Sequence, residues 1–421
     1  MICDSGESLS PDVVIRFGEH IELCGSGRFQ VGSPSSEPQR QYPSRDMSRD
    51  WDDLRQDFPG TAERVYLNAA AGSITPRWVR EAVVRYQQEL EEGGDDHWDL
   101  WLAQMEVVRE RVARFIGAQA DEIAFVTNTS DGMNVLADLV ANDGPVLSDE
   151  LEFPTVTLPF LHRGAQMQFI PAIEGELRLE MFDEVHAPRA ASIVVSHVQF
   201  SNGFRIDLEA LGELKGRRPL IVCGSQSVGA FEVDVKAMKI DGLACAGHKW
   251  LTAGYGAGFV YVSRDLLKRA PRTLGWRSVK DPFSFNNRAG VPVTAARRYE
   301  LGCPAFPGVF ALGAAVSYLD GIGRDRIQAR VLQLNTALTS ALRHEDFDVL
   351  SPSGSGRSGQ TLLALDHPAE ATEFLRARGI MVTQKPEGIR ISTHFFNNEE
   401  DIEKLMKALK AYRDSVMSPV E

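Results

Sequence analysis

The run Leu243-Ala244-Cys245-Ala246-Gly247-His248-Lys249-Trp250-Leu251 sets one lysine between apolar stretches, beside a histidine and a tryptophan. After it, Gly254-Tyr255-Gly256-Ala257-Gly258 leads into the apolar run Phe259-Val260-Tyr261-Val262. An amine in such surroundings loses hydration, which lowers its pKa and makes it a usable nucleophile toward an aldehyde. Upstream, Leu220-Ile221-Val222 reads as a short buried strand ending in Cys223-Gly224-Ser225-Gln226-Ser227-Val228-Gly229. No helix pattern follows Gly254, Gly256 and Gly258, so they read as a tight backbone path between strands rather than a dinucleotide fingerprint.

Working outward, short apolar strands alternate with helices from Ile123 to about Val262, the pattern of a mostly parallel sheet with helices on both faces. Residues 77–92 and 99–116 read as helices; in the second, Trp101, Leu102, Met105, Val108, Val112 and Phe115 recur at helical spacing. An amphipathic helix closes the chain, with Ile402, Leu405, Met406 and Leu409 on one side. Ser351 to Gly356 reads as a loop, and no internal repeat is present. Residues 1–46 are rich in Ser, Gly, Pro and Arg and read as a disordered tail, with Met47 a candidate natural start. Trp51-Asp52-Asp53-Leu54 opens the first ordered segment.

The 421 residues are 43% hydrophobic and 24% charged, which is ordinary for a globular chain with one large domain and a smaller companion. A net charge of -13 argues against a nucleic-acid or anionic-membrane partner. No apolar stretch approaches a membrane span and the N-terminus has no signal-peptide pattern, so a cytoplasmic location is expected. The five cysteines show neither CxxC nor zinc spacing, and HExxH, P-loop and EF-hand spacings are absent, so no metal is expected.

Ligands of open α/β sheets bind beyond the carboxyl ends of strands. Ile123-Ala124-Phe125-Val126 is followed by Thr127-Asn128-Thr129-Ser130-Asp131-Gly132, with a helix starting near Met133. Free N–H groups and the helix dipole make that turn a phosphate seat, with Thr129 and Ser130 adding hydroxyls; the competing reading is a plain Ser/Asp N-cap.

Together these segments resemble the core of class V aminotransferase-like and cysteine desulfurase-like enzymes, which are pyridoxal-phosphate proteins of fold type I. The nearest flavour is that of isopenicillin-N-epimerase-like members. The resemblance spans about residues 50–415. It implies that Lys249 carries the cofactor as a Schiff base, that the turn at Thr129 and Ser130 binds its phosphate, and that His248 assists. It implies that Gln226 hydrogen-bonds the ring phenolic oxygen and that Gln199 faces the cofactor. Glu152-Phe153-Pro154-Thr155 resembles the segment whose aromatic residue stacks on the ring, so Phe153 is the stacking candidate; its plain alternative is a core Phe. Tyr66-Leu67-Asn68-Ala69-Ala70-Ala71-Gly72 resembles the opening strand near the substrate, which makes Asn68 a contact. Gly388-Ile389-Arg390-Ile391-Ser392-Thr393-His394-Phe395-Phe396-Asn397 resembles the carboxylate-binding motif, in which Arg390 offers a planar fork.

In domain terms the resemblance implies a large cofactor-binding domain over 77–300 and a smaller α+β domain from 47–76 and 301–421. It also implies a homodimer with active sites at the interface and an amino-acid substrate.

Three positions depart from the family pattern. Cys223 stands where an Asp holds the pyridine nitrogen protonated. Ala246 replaces a phosphate-binding Ser or Thr, and Gly302-Cys303-Pro304 replaces a Gly-Thr-Pro whose Thr reaches the neighbouring subunit's phosphate. Each change removes a polar contact worth roughly 1.5–3 kcal/mol when made to a charged group. A neutral thiol is a weak donor, and only a thiolate could clamp a pyridinium. The segment from Gly379 to Arg390 has no cysteine to carry a persulfide, which disfavours desulfuration. The expected activity lies at Cα or Cβ of an amino acid, of epimerase, C–S lyase or aminotransferase type. The alternative is a catalytically impaired binding or regulatory protein, because of Cys223.

Overall fold

The computed structural model describes residues 49–417, so the tail expected over 1–46 lies outside the described residues. The described chain opens with α1 (Trp51–Arg55), β1 (Val65–Tyr66), α2 (Arg77–Gly93) and α3 (Trp98–Phe115). The main sheet follows as β2 (Ile123–Val126), β3 (Val146–Asp149), β4 (Met167–Ile170), β5 (Ser192–Ser196), β6 (Leu220–Cys223), β7 (Gly242–Ala246) and β8 (Gly258–Val262). Its helices are α4 (Thr129–Val140), α5 (Pro154–His162), α6 (Leu208–Leu214) and α7 (Arg264–Leu267). The C-terminal part runs α8 (Phe306–Ile322), α9 (Arg324–His344), β9 (Gln360–Ala364), α10 (Pro368–Arg376), β10 (Ile380–Met381), β11 (Thr383–Lys385), β12 (Gly388–Ser392) and α11 (Glu399–Met417).

The seven strands lie in the order β2-β8-β7-β6-β5-β3-β4. β3 to β7 are parallel, whereas β8 runs antiparallel to both β2 and β7. The path from Ala246 to Gly258 contains no crossover helix, so the chain can only return antiparallel. Gly254 and Gly256 sit at φ +79° and +76° on that path, a conformation that L side chains rarely adopt.

Helices cover both faces of the sheet, so its strands read as continuous apolar runs. On β6, Leu220 and Val222 enter the core shared with α2, α3 and α8, while Ile221 and Cys223 enter the core shared with α4 and α5. A third core joins Val65 and Leu67 to residues of α9, β9, β12 and α11, including Leu334, Leu363, Ile391 and Leu405. There β9, β12 and β11 form an antiparallel sheet, and β1 pairs in parallel with β10. Among the described residues no single helix is long and apolar enough to cross a membrane.

Candidate active site

The carboxyl ends of β5, β6 and β7 bring Ser196, Cys223 and Ala246 to one edge of the sheet, with Ser196 and Cys223 register partners. α4 starts beside them. Its N-cap is Asn128, whose side chain accepts from the Asp131 amide at 3.0 Å, so capping falls to neither Ser nor Asp. Thr129 is buried and bonds the Ser225 hydroxyl, and Ser130 meets the Thr155 hydroxyl at 2.7 Å. Gly132 brings this first turn close to β7: a Cβ there would stand 2.8 Å from that of Ala244.

Lys249 follows β7 in a turn, partly buried, and its amine makes no hydrogen bond or ion pair to any described residue. Burial pushes its amine down; Cys223 and Arg390 act in opposite directions on top of that. Its Nζ lies 6.0 Å from the ring centroid of Phe153. Phe153 is 46% exposed at the start of α5, which rules out the core-packing alternative. Its ring meets Phe200 edge-on at 5.0 Å. His248 stacks on Tyr255 with centroids 4.5 Å apart, and burial together with the Lys249 charge pushes the imidazole down to about 4, leaving it neutral at pH 7.

Cys223 is buried, and burial pushes its thiol up. The thiolate weighed from sequence is therefore disfavoured at neutral pH. Close by stands a carboxylate cluster that the sequence reading did not single out. Glu152 accepts from the Ser196 amide and, at 2.5 Å, from the Ser196 hydroxyl, which places it beside the Cys223 strand. Gln199 Nε2 donates to Glu152 at 3.1 Å and to both oxygens of Asp149 at 3.2 and 3.1 Å, while its buried Oε1 has no partner. Burial raises both acids, Asp149 to about 9 with further help from the Glu152 charge, so the pair holds a proton. In Asp149-Glu150-Leu151-Glu152 the acids look like a solvated loop; only the sheet above them shows which two are enclosed.

Gln226 is buried beside the lysine turn. Its Nε2 donates to the Ala70 carbonyl and its Oε1 accepts from Trp250 Nε1, both at 2.9 Å, so the amide braces the opening strand against the lysine turn. Arg390 is 4% exposed; its Nη1 donates to the Phe200 carbonyl at 2.8 Å and its Nε has no partner. Asn68 bridges to Ser392 and accepts from the Thr383 hydroxyl. Cys303 is exposed and lines a separate cavity of about 430 Å³ with Thr127, Asp131, Gly256 and Arg163; Lys249 does not line it.

The residues fit pyridoxal phosphate. The lysine amine is uncommitted, an exposed aromatic ring lies beside it, a helix N-terminus closes on the strand ends, and a buried guanidinium nitrogen lacks a partner. The family model for aminotransferase class-V matches residues 65–405, and the chain belongs to that family. It is thus an enzyme of fold type I, and the family's cofactor is pyridoxal phosphate.

The chain is similar to the uncharacterized aminotransferase YcbU of Bacillus subtilis, 26% identical over 363 residues that cover 85% of this chain and 96% of that one. It is 27% identical to the isopenicillin N epimerase of Amycolatopsis lactamdurans, over 74% of this chain and 84% of that one. Among solved structures, the apo cysteine desulfurase of Thermococcus onnurineus NA1 superposes with a TM-score of 0.80 at 26% identity, covering 86% of this chain and 98% of that one.

Proposed function

We propose that the chain acts at Cα or Cβ of an amino acid, in a reaction of epimerase, C–S lyase or aminotransferase type. The observation that carries this reading is Lys249: an amine pushed down by burial, free of protein partners, between Phe153 and the strand that bears Arg390. Pyridoxal phosphate, when bound, supplies an electron sink for the bonds at Cα. Thr129, Ser130 and the N–H groups of the first α4 turn would hold its phosphate, with Phe153 against the ring and Lys249 attached to it. Lys249 then moves the proton at Cα, and the Arg390 fork orients the carboxylate next to Asn68. The unpartnered Oε1 of Gln199 is positioned to accept a hydrogen bond, and neutral His248 to donate one.

A protonated Cys223 weakens the sink, which favours epimerisation or prompt β-elimination over full transamination. A persulfide-carrying role lacks its cysteine: of the described thiols, Cys223 and Cys245 are buried and Cys303 lines the other cavity. Cys223 also supports a second reading, a descendant that keeps the fold for binding or regulation.

The same reading includes the two-part division, 77–300 against 47–76 with 301–421; the core shared by Val65, Leu67 and the C-terminal strands supports it, whereas α8 packs in the main-sheet core with α2 and α3. It includes a cytoplasmic homodimer as well. The exposed Leu274, Trp276, Phe283, Phe285 and Val291 favour a covered face between Leu274 and Leu301.

Borohydride treatment of the purified protein followed by peptide mapping tests the assignment. The pyridoxyl label is expected on Lys249 and absent from Lys249→Ala. A label on another lysine that persists in Lys249→Ala sinks the proposal, and a colourless protein that takes no label supports the second reading.

A further inference from the structure

A second lysine belongs to the site. Thr383 and Arg390 are register partners across β11 and β12, and Lys385 lies two residues beyond Thr383, so all three side chains leave one face of the small sheet. Lys385 Nζ stands 4.3 Å from the ring centroid of Phe200, the residue whose carbonyl accepts from Arg390 and whose ring meets Phe153. Phe153 in turn lies beside Lys249 Nζ. The contacts thus run unbroken from the lysine turn to β11.

Lys249, Lys385 and Arg390 are three cations gathered around two phenylalanine rings, and none of them forms an ion pair with a described Asp or Glu. The acid facing Lys385 is Glu387, which is exposed and outside ion-pair reach. Burial, and after it the Arg390 charge, push Lys385 down to about 8. Partly buried like charges with no internal counter-charge are costly unless a ligand supplies anions. In the reading above, which this inference rests on, the phosphate goes to the α4 turn and the α-carboxylate to Arg390. Lys249 is taken up by the cofactor, so of the three cations Lys385 is left over.

We propose that Lys385 is a specificity-determining residue that binds a second anionic group, so that the preferred substrates are amino acids whose side chain ends in a carboxylate, sulfinate or comparable oxyanion. Phe200 lies between the two cations and suits the short apolar link between the two anionic ends. A monoanionic substrate would satisfy Arg390 and leave Lys385 unpaired.

The test is calorimetric titration of the holoenzyme with two unreactive probes of equal length, glutarate and valerate. Glutarate is expected to bind about tenfold tighter or better, one charge-assisted contact being the difference. In Lys385→Met that ratio is expected to shrink by more than about threefold, with valerate affinity largely retained, while Lys385→Arg keeps the preference. A wild-type ratio below about tenfold, or a ratio in Lys385→Met within about threefold of wild type, overturns the inference. Should Lys385→Met fail to fold, Lys385→Gln carries the same comparison. Borohydride mapping of the same preparation separates the failures. A label on Lys249 with no dianion preference defeats this inference alone, whereas a preference without a label defeats the cofactor reading.

Discussion

The edge of the large sheet that we assign to the cofactor and the edge of the small sheet that we assign to the substrate differ in charge. On the large sheet, β6 and β7 end in the neutral side chains of Cys223 and Ala246, where the family resemblance implies an Asp and a Ser or Thr. The carboxylates beside Cys223 are enclosed and raised, so they hold a proton rather than full charge. On the small sheet, Arg390 is buried and partly unpaired, and Lys385 adds a cation close to it. On the proposed reading, the difference means a relaxed grip on the cofactor ring beside a stronger recognition of the substrate's charge.

The largest effect tests whether the two edges act on one centre. Lys249→Ala should lower turnover of any reactive amino acid by roughly 100-fold or more, the scale of a lost acid–base group, as read by steady-state assay. A variant that keeps its rate would uncouple the large-sheet edge from the chemistry.

Arg390→Lys breaks the small-sheet side. An ammonium cannot reproduce the bidentate fork, so amino-acid affinity should fall by about tenfold or more while the cofactor absorption band stays in place. Unchanged affinity in a binding titration would move carboxylate recognition elsewhere and make the β12 motif structural.

Cys223→Asp sharpens the comparison on the large-sheet side. If an acid is what that edge lacks, pyridoxal phosphate should bind roughly tenfold tighter by equilibrium dialysis, as expected for a close opposite charge. If affinity is unchanged and Glu152→Gln weakens it instead, the carboxylate beside Ser196 already serves the ring, and the relaxation inferred here is only apparent.

A separate effect is on stability. Asp149 has a folded pKa raised to about 9 from an ordinary value of 3.8, so between those limits the folded protein holds a proton that the unfolded chain gives up. Stability therefore falls as pH rises through that window, by at most about 1.4 kcal/mol per pH unit for one proton. Melting curves of the cofactor-free protein from pH 6 to 9 should show this slope, and Asp149→Asn should flatten it. An identical slope in the variant would show that the pair is not titrating.

The elements legible in the chain were those with a local physical signature. α2 and α3 carry helical periodicity close to the expected bounds, and β6 and β7 are uninterrupted apolar runs because both their faces are covered. The strand-to-helix turn at Thr129 was also visible, although Asn128 rather than a Ser or Asp caps it. The antiparallel course of β8 was not, since direction depends on the connection rather than on strand composition.

By itself the sequence determined the fold class, the family and the lysine at its centre, because hydrophobic period, glycine spacing and motif order are properties of neighbours along the chain. Tertiary structure alone decided that Glu152 and Asp149 are enclosed under the strand ends, that Gln226 is committed to Ala70 and Trp250, and that Lys385 shares a face with Arg390. Those roles depend on burial and on partners far away in sequence. A charged side chain reads the same on paper whether water or a second like charge lies beside it.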